Sequence, residues 1–470
     1  VKKLITEKRN TNMEESELSD IVVRTRNFGD IEIPSEQVYD LVKKCVLDSK
    51  NLSDLLKKQV DEYFDGKRVD NYYYSISSTE APTYLKCFHD VLARDFTIEK
   101  IIDFDFKRRY EVPPTYHEFK IGKDAKESML IKGVIFATDK TGNKYVFNLI
   151  PYTEDYSIEL ECYFDSSKTK FKDFWKLVED YFDTEGPLRN QKIDSNWNFV
   201  DYEEKTWDSI VVSDENRKMI DRHIVNFIDL IETYKEKRLP ASRGILISGP
   251  PGTGKTLCCE TIMGMVDATT IYVTSDSIDS IGQIKGLYKL ARRLSPSLVI
   301  IEDIDTLGGL DRRERGNHPL LGEFLNCLSG VGGNDGVITI ATTNYPENID
   351  IALGDRPGRF DLRVKFGYPD KELRGYILEK YLKEFKTDKK LNLSKIIKET
   401  ENMSGAYLKE IVMVAYMITV EYGVESISQK ILDEAFDSVK QLKREVDKTY
   451  GVRRFTEKTE NIYGWNRWFD

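Results

Sequence analysis

The segment Gly244-Ile-Leu-Ile-Ser-Gly-Pro-Pro-Gly-Thr-Gly-Lys-Thr256 joins a short apolar run to a glycine-rich turn. Residues 244–248 are typical of a buried strand, and residues 249–256 fit the pattern G-x-x-x-x-G-K-[ST]. Residues 257–265 can continue as a helix, because the first helix-breaking residue in them is Gly264. Strand, loop and helix in this order are the context that the pattern requires, so the sequence predicts a phosphate-binding loop.

The residue types in this loop suit a bound nucleoside triphosphate. The glycines let backbone N–H groups approach phosphate oxygens, and the helix N-terminus adds partial positive charge. Lys255 can reach the β- and γ-phosphates, and the Thr256 hydroxyl can bind Mg²⁺, so we predict ATP and Mg²⁺ as cofactors. The predicted nucleotide contacts are Pro251, Gly252, Thr253, Gly254, Lys255, Thr256 and Leu257. The alternative is an ordinary glycine-rich turn with a solvated lysine.

Composition limits the class of protein. The 470 residues are 40% hydrophobic and 32% charged, with a net charge of −10. Apolar runs are too short for a membrane helix, and the first residues lack the apolar segment of a secretory signal. The acidic balance disfavours non-specific nucleic-acid binding. Six cysteines without a C-x-x-C pair disfavour a structural zinc site and suit a reducing cytosol, so we predict a cytoplasmic protein.

The N-terminal part of the chain is predicted to be an α+β recognition domain over residues 1–190. Residues 35–64 have helical spacing, and residues 128–164 have the alternation of a β meander. The polar stretch 191–205 is predicted to be a linker. The triplet Tyr72-Tyr73-Tyr74 fits either a strand with core and surface tyrosines or a recognition surface.

From residue 206 onward, short apolar strands alternate with helices. Strands buried on both faces predict a parallel sheet between two helical layers, so the fold class is α/β. A large α/β domain is predicted at 206–369, a small helical domain at 370–445 and a C-terminal tail at 446–470. The predicted strands are 244–248, 271–275, 298–302, 337–342 and 362–366.

Acidic residues follow the third of these strands. Glu302 and Asp303 stand at its carboxyl end, where parallel sheets bind their ligands. We predict that Glu302 binds Mg²⁺ and that Asp303 orients or deprotonates the attacking water. An acidic strand-to-loop turn without chemistry is the alternative.

Three further polar residues complete the predicted catalytic set with Lys255 and Asp303. Asn344 ends the next strand, where its amide can position the lytic water or contact the γ-phosphate. Arg356 and Arg359 follow, and arginine is suited to stabilising charge on a transferring phosphoryl group. Each of these residues would be unremarkable alone.

In this order and spacing, GPPGTGKT, the acidic strand end, ATTN and RPGRFD resemble the AAA ATPase module over residues 206–440. The resemblance implies an ATP-hydrolysing ring, usually hexameric, in which Arg356 and Arg359 complete the site of the neighbouring subunit. SGAYL at 404–408 resembles the family's small-domain motif near adenine and ribose. By the same resemblance, the adenine neighbours are Ile210, Val211, Val212, Ile377, Tyr381, Gly405 and Ala406.

Two departures from the family pattern are informative. The family's acidic pair is usually Asp-Glu, whereas here it is Glu302-Asp303, and a branch resembling the mitochondrial Rieske-protein translocase has the same order. The run WDSIVV, followed by RGILISGPPG, resembles that branch as well. The interval 275–282, where family unfoldases place an aromatic pore loop, contains no aromatic residue, which argues against threading of a peptide.

Three functions remain open from the sequence. The first is ATP-driven remodelling or translocation of a macromolecule, most readily a protein, by a homo-oligomeric ring without a membrane span. The second is a nucleic-acid-associated ATPase, for which Arg312, Arg313 and Arg315 would line a basic channel. The third is a nucleotide-gated scaffold that hydrolyses ATP slowly. The aromatic C-terminus, Trp468-Phe469-Asp470, either folds back on the small domain or docks a partner.

Overall fold

The computed structural model describes residues 22–25, 29–32, 55–105, 110–152, 157–306, 319–328, 333–346, 360–388 and 391–450. The chain divides into two compact units. The first comprises Val1–Ile121 and Ala125–Phe182, and the second comprises Gly122–Asp124 and Asp183–Asp470.

The first unit is built on an antiparallel sheet. Its strands are β1 (Val22–Thr25), β2 (Gly29–Glu32), β3 (Asp70–Ile76), β4 (Phe96–Asp105), β5 (Tyr110–Val112), β6 (Thr115–Lys120), β7 (Lys126–Asp139), β8 (Lys144–Pro151) and β9 (Ile158–Phe164). The main sheet has the order β3-β9-β8-β7-β4-β5, with β6 paired to β7, while β1 pairs with β2. Its helices are α1 (55–63), α2 (Ala81–Asp95) and α3 (Phe171–Thr184). The predicted meander is confirmed as β7, β8 and β9.

Helices cover both faces of the main sheet in the first unit, because successive strand residues point to opposite sides. Val146 and Phe136 pack with α1 on one face. On the other face, the Phe147 ring lies 5.3 Å from that of Phe88 on α2 and 4.6 Å from that of Phe174 on α3. The first unit therefore has a core on each side of its sheet.

The tyrosine triplet lies on the edge strand β3. Tyr72 and Tyr73 are exposed, while the Tyr74 ring packs 3.9 Å from that of Trp175. This is the arrangement of a strand with core and surface tyrosines, the plainer of the two interpretations of the sequence.

The second unit contains a six-stranded parallel sheet. Its strands are β10 (Lys192–Ile193), β11 (Arg243–Ser248), β12 (Thr269–Thr274), β13 (Ser297–Glu302), β14 (Val337–Thr343) and β15 (Leu362–Lys365). The sheet order is β10-β12-β13-β14-β11-β15. Its helices are α4 (Asp214–Ile220, Asp221–Val225 and Asn226–Asp229), α5 (Ile231–Glu236), α6 (Lys255–Met265), α7 (Ile281–Arg293), α8 (Pro319–Leu328), α9 (Lys371–Leu382), α10 (Ser394–Glu399), α11 (Gly405–Glu421) and α12 (Gln429–Tyr450).

The predicted α/β class and its five strands are confirmed. All residues of β14 are buried, as expected of a central strand covered on both faces. Because β14 lies between β11 and β13, the loop that leaves β11 and the acidic turn that leaves β13 meet at its carboxyl end. The sheet order thus brings the two halves of the predicted site together.

The structure corrects the predicted boundary between the two halves of the chain. The first unit ends at Phe182, eight residues before the predicted end at 190. Residues 191–205 are not a linker, because Lys192 and Ile193 form an extra edge strand paired with Thr270 and Ile271 of β12. A two-residue strand is too short to show alternation in the sequence, so the prediction missed it.

Residues 192–205 form a strap along helix α6. The buried Lys192 ammonium donates to the carbonyls of Val266 and Ala268, at 2.8 and 2.9 Å, just beyond the end of this helix. Burial lowers the pKa of Lys192 to about 8. Lys205 forms an ion pair with Glu260 of α6 at 2.5 Å. The segment predicted as a linker is therefore anchored to the helix that follows the phosphate loop.

Replacement of Gly264 by alanine should loosen this strap. An added Cβ would lie 2.6 Å from the carbonyl oxygen of Lys205 and 2.8 Å from its nitrogen. We expect a destabilisation of about 1–3 kcal/mol, the usual cost of overpacking, seen as a melting temperature lower by a few degrees.

Gly286→Ala is the matched control, because Gly286 also lies in a helix but has open space around its Cβ position. Alanine there should leave the melting temperature unchanged or raise it, since it is the better helix former. Equal melting temperatures for Gly264→Ala and the wild type would show that the strap does not pack on α6 as described.

Helices α9 to α12 form a separate bundle within the second unit. Its core includes Leu378 of α9, Ile411 of α11 and Phe436 of α12. Helix α12 extends to Tyr450, so the tail predicted to begin at 446 begins later. The helix continues because residues 446–450 contain neither proline nor glycine. In the described parts of the chain, we find no helix long and apolar enough to cross a bilayer.

Candidate functional site

The glycine-rich loop 249–254 connects β11 to α6 and has the backbone that only glycine adopts easily. Gly249, Gly252 and Gly254 have φ angles of +156°, +75° and +99°. A Cβ on Gly249 would lie 1.9 Å from the carbonyl oxygen of Phe366, so no side chain fits there. The loop is thus shaped for close backbone approach to an anion at the N-terminus of α6.

Lys255 is the cation at the centre of this loop. It is buried, and its Nζ donates to the carbonyl oxygens of Gly249 and Pro250, at 2.8 and 3.0 Å. A third bond, 2.7 Å long, reaches Oδ1 of Asn344 at the end of β14. Burial lowers the pKa of Lys255, and the nearby carboxylates, Asp303 first among them, oppose this shift. Lys255 therefore faces both the loop and the acidic turn.

Glu302 ends β13 beside the start of α6. Burial raises the pKa of Glu302, and hydrogen bonds from the side chains of Tyr272 and Thr256 act in the opposite direction. Its Oε1 is buried and lacks a hydrogen-bond partner among the described residues. A buried carboxylate oxygen of this kind is costly unless a cation binds it. The pair of Glu302 and Thr256 therefore fits a Mg²⁺ site made of oxygen donors.

Asp303 and Asn344 are hydrogen-bonded to each other. The Asn344 Nδ2 donates to Oδ1 of Asp303 at 3.0 Å, while its own Oδ1 accepts from Lys255. An ammonium can only donate and a carboxylate can only accept, so these partners fix the orientation of the amide. Asp303 itself is exposed and has a left-handed φ of +47°, which turns the chain sharply at the end of β13. We call the hydrogen-bonded series Lys255, Asn344 and Asp303 the polar chain.

Asp305 belongs to the same acidic turn, and the sequence did not assign it a role. It is buried, with 5% of its surface exposed, and accepts hydrogen bonds from the Thr343 hydroxyl and the Asn344 backbone N–H. The one signal in the sequence for such a role is that Asp305 is the third acidic residue at the end of an apolar strand, after Glu302 and Asp303. Its two donors lie 38 and 39 residues away in the sequence, so the pairing required the strand order.

The predicted adenine neighbours lie on three segments next to the loop. Ile210 is buried, and its Cδ1 lies 3.6 Å from the Cβ position of Gly254. Val211 packs against the helical bundle, where Ile377 and Tyr381 also lie. Val212 packs instead against the core around the sheet. The segment 210–212 therefore bridges the α/β part and the helical bundle beside the loop.

The N-terminus of α11 rests directly on the phosphate-binding loop. The Ala406 N–H donates to the carbonyl oxygen of Gly252 at 3.0 Å. A Cβ on Gly252 would lie 2.8 Å from the Ser404 Oγ, and one on Gly405 would lie 3.8 Å from the Ile377 Cδ1. The helical bundle thus contacts the loop through the residues that the resemblance assigned to nucleotide binding.

Some predicted residues lie outside the described residues. These are Arg356 and Arg359, the basic residues Arg312, Arg313 and Arg315, and the C-terminal Trp468-Phe469-Asp470. The interval 275–282, by contrast, is largely described. It contains a short turn at Ser275–Ser277 and the cap Ser280, which accepts a hydrogen bond from the Gln283 N–H at the start of α7.

A parallel sheet with a glycine-rich loop before a helix, a buried lysine and an acidic neighbouring strand defines a phosphate-binding-loop nucleotide module. Comparison with known proteins gives the family. Residues 245–368 match the family of ATPases associated with various cellular activities (AAA). These residues are an AAA domain, and they lie within the second unit.

Similar proteins include several ATP-dependent zinc metalloproteases. FtsH 2 of Conexibacter woesei is 33% identical over 231 residues, which are 46% of this chain and 33% of that protein. YME1L1 of Mus musculus is 33% identical over 235 residues, covering 48% of this chain and 33% of that protein. FtsH of Staphylococcus haemolyticus is 32% identical over 241 residues, covering 48% of this chain and 32% of that protein.

The extent of these matches limits what can be transferred. The chain spans about a third of the length of the curated relatives that it matches. None of the four histidines at 89, 117, 223 and 318 begins an H-E-x-x-H sequence, so the zinc chemistry in the relatives' names is not carried over to residues 1–470. The likeness to the branch of the mitochondrial Rieske-protein translocase stays a prediction.

Proposed function

We propose that this protein hydrolyses ATP and uses the energy to remodel or translocate a protein. The observation that carries the ATPase part is the polar chain, which links the phosphate-loop lysine to the carboxylate at the end of β13. An amide that is hydrogen-bonded to an ammonium on one side and to a carboxylate on the other can help to position a phosphate and a water together. The relatives named as ATP-dependent proteases support a protein substrate.

Each residue of the site has a role in this proposal. Lys255 binds the β- and γ-phosphates and neutralises their charge. Asp303 accepts the proton of the attacking water or orients it, and Asn344 holds that water against the γ-phosphate. Because the three N–H groups of Lys255 are bonded to Gly249, Pro250 and Asn344 in this structure, a bound phosphate has to replace at least one of these contacts.

Glu302 and Thr256 would hold Mg²⁺, which supplies charge neutralisation at the bridging phosphate oxygens. Their position supports this, since Glu302 ends β13, Thr256 lies in the first turn of α6, and Oε1 of Glu302 is buried and has no partner among the described residues. The longer Glu302 takes the metal position and the shorter Asp303 takes the water position. The two residue types are therefore exchanged relative to the usual Asp-Glu pair.

A ring assembly, a hexamer by resemblance, is part of the proposal. Arg356 and Arg359 would then act on the nucleotide of the neighbouring subunit, a role suited to arginine. Light scattering with and without a non-hydrolysable ATP analogue measures the assembly directly. A cytoplasmic location, inferred from cysteine use, also stays a proposal.

The substrate class can be tested by the stimulation of hydrolysis. We expect an unfolded protein, such as a reduced and alkylated globular protein, to raise the rate of phosphate release several-fold. Single-stranded and double-stranded DNA are the comparison arms, and Lys255→Ala is the control for contaminating ATPases. Stimulation by DNA alone would favour the nucleic-acid function, and slow hydrolysis unaffected by any arm would favour the scaffold.

A further inference from the structure

The short turn Ile304–Thr306 that follows the acidic pair binds the ends of two neighbouring strands. Its Asp305 contacts the end of β14, as described above. Its Thr306 hydroxyl lies 2.6 Å from that of Ser275, just after β12, and the two are hydrogen-bonded. The turn that follows β13 is therefore hydrogen-bonded to the carboxyl ends of both neighbouring strands, β12 and β14.

Asp305 forms two hydrogen bonds with the segment that carries Asn344. One carboxylate oxygen, Oδ1, accepts from the Thr343 hydroxyl at 2.7 Å and from the Asn344 N–H at 3.2 Å. Thr343 is fully buried and its hydroxyl oxygen also accepts from the Tyr345 N–H at 3.0 Å. Since β14 ends at Thr343, the sheet ladder no longer fixes Asn344, and the bond to Asp305 does.

The other oxygen of Asp305 argues against a role in stability alone. Oδ2 is buried and has no hydrogen-bond partner among the described residues. Burying a half-satisfied carboxylate costs free energy, and an uncharged side chain at this position would lower that cost. A carboxylate buried at such a cost is better explained by what it positions.

We propose that Asp305 is a positioning residue for ATP hydrolysis, because its carboxylate sets the backbone of Asn344 and so the amide between Lys255 and Asp303. The proposal rests on the function proposed above. It assigns to Asp305 no contact with the nucleotide. Without the hydrogen bonds from Thr343 and Asn344 to Asp305, Asn344 should move by a fraction of an ångström or more. Such a shift is enough to slow a reaction that depends on the alignment of the water with the γ-phosphate.

The test is a set of variants of the full chain. Asp305→Leu fills the same space without an acceptor, and Asp305→Asn keeps an acceptor oxygen at the Oδ1 position. We expect Asp305→Leu to lower kcat at least about tenfold, with the Kd of a non-hydrolysable ATP analogue within about threefold of the wild type. Asp305→Asn should recover most of kcat. Equal loss of kcat and affinity, or an unchanged kcat in Asp305→Leu, would overturn the proposal.

A double-mutant cycle with Asn344→Ala separates positioning from general damage to the fold. If Asp305 acts through Asn344, the loss from Asp305→Leu should largely disappear in the Asn344→Ala background. Additive losses would overturn the proposal. If Asp305→Leu does not fold, Thr343→Val removes one of the two donors instead and should lower kcat with unchanged Kd; an unchanged kcat would count against the proposal.

The outcomes also separate this inference from the proposed function. A wild-type protein that binds the analogue but releases no phosphate from ATP would overturn both. Hydrolysis by the wild type together with full activity of Asp305→Leu would overturn this inference alone.

Discussion

Replacement of Lys255 by alanine is expected to abolish tight binding of ATP. Lys255 is the cation of the loop 249–256, and its Nζ is already aimed at that loop, with bonds to Gly249 and Pro250. Two charge-assisted bonds to phosphate contribute about 1.5–3 kcal/mol each, so the affinity should fall at least about 100-fold. Calorimetry with a non-hydrolysable ATP analogue measures the effect.

The matched control is Lys289→Ala, which removes an exposed lysine from helix α7. It should bind the analogue as tightly as the wild type. The circular dichroism spectrum of Lys255→Ala should match that of the wild type, because only a side chain is shortened. Near wild-type affinity in a folded Lys255→Ala protein would remove the loop from the nucleotide site.

Asp303→Asn is expected to leave nucleotide binding intact and to slow hydrolysis at least about tenfold. The asparagine has the same shape but cannot accept a proton, and its hydrogen bond with Asn344 then joins two neutral amides. The measurement is phosphate release under saturating ATP, with the Kd of the analogue determined in parallel. Asp437→Asn, on the exposed face of α12, is the control and should be fully active.

Glu302→Gln distinguishes the two acidic positions. It should weaken nucleotide binding in the presence of Mg²⁺ and have little effect in its absence, because the buried Oε1 would no longer offer a charged ligand. If Asp303→Asn weakened Mg²⁺-dependent binding and Glu302→Gln slowed hydrolysis alone, our assignment of the two roles would be wrong.

The sequence predicts the residues of the site better than their contacts. The loop motif, the acidic strand end and Asn344 each have a recognisable residue type at a strand end, so local pattern is sufficient to find them. Asp305 has no such signal, because its role depends on β14 lying next to β13. Strand order is a property of the whole sheet and is not written in any one segment.

The prediction of a linker at 191–205 also failed because the structure of this segment depends on tertiary contacts. Lys192 and Ile193 are too few to show the alternation of a strand, and the neighbouring residues are polar. Only the tertiary structure shows that Lys192 reaches the carbonyls beyond α6 and that the Lys205 backbone packs on Gly264. The polar composition of 191–205 indicated a flexible connection. In the structure this segment instead begins with an edge strand that is hydrogen-bonded to β12.

The most direct measurement is phosphate release from ATP by the full chain, with Mg²⁺ and with a chelator. The site described here predicts steady turnover with Mg²⁺, little without it, and none above background in Lys255→Ala. Binding of ATP without any Mg²⁺-dependent release of phosphate, in wild-type protein shown to be folded, would contradict the assignment of Glu302, Asp303 and Asn344 to hydrolysis.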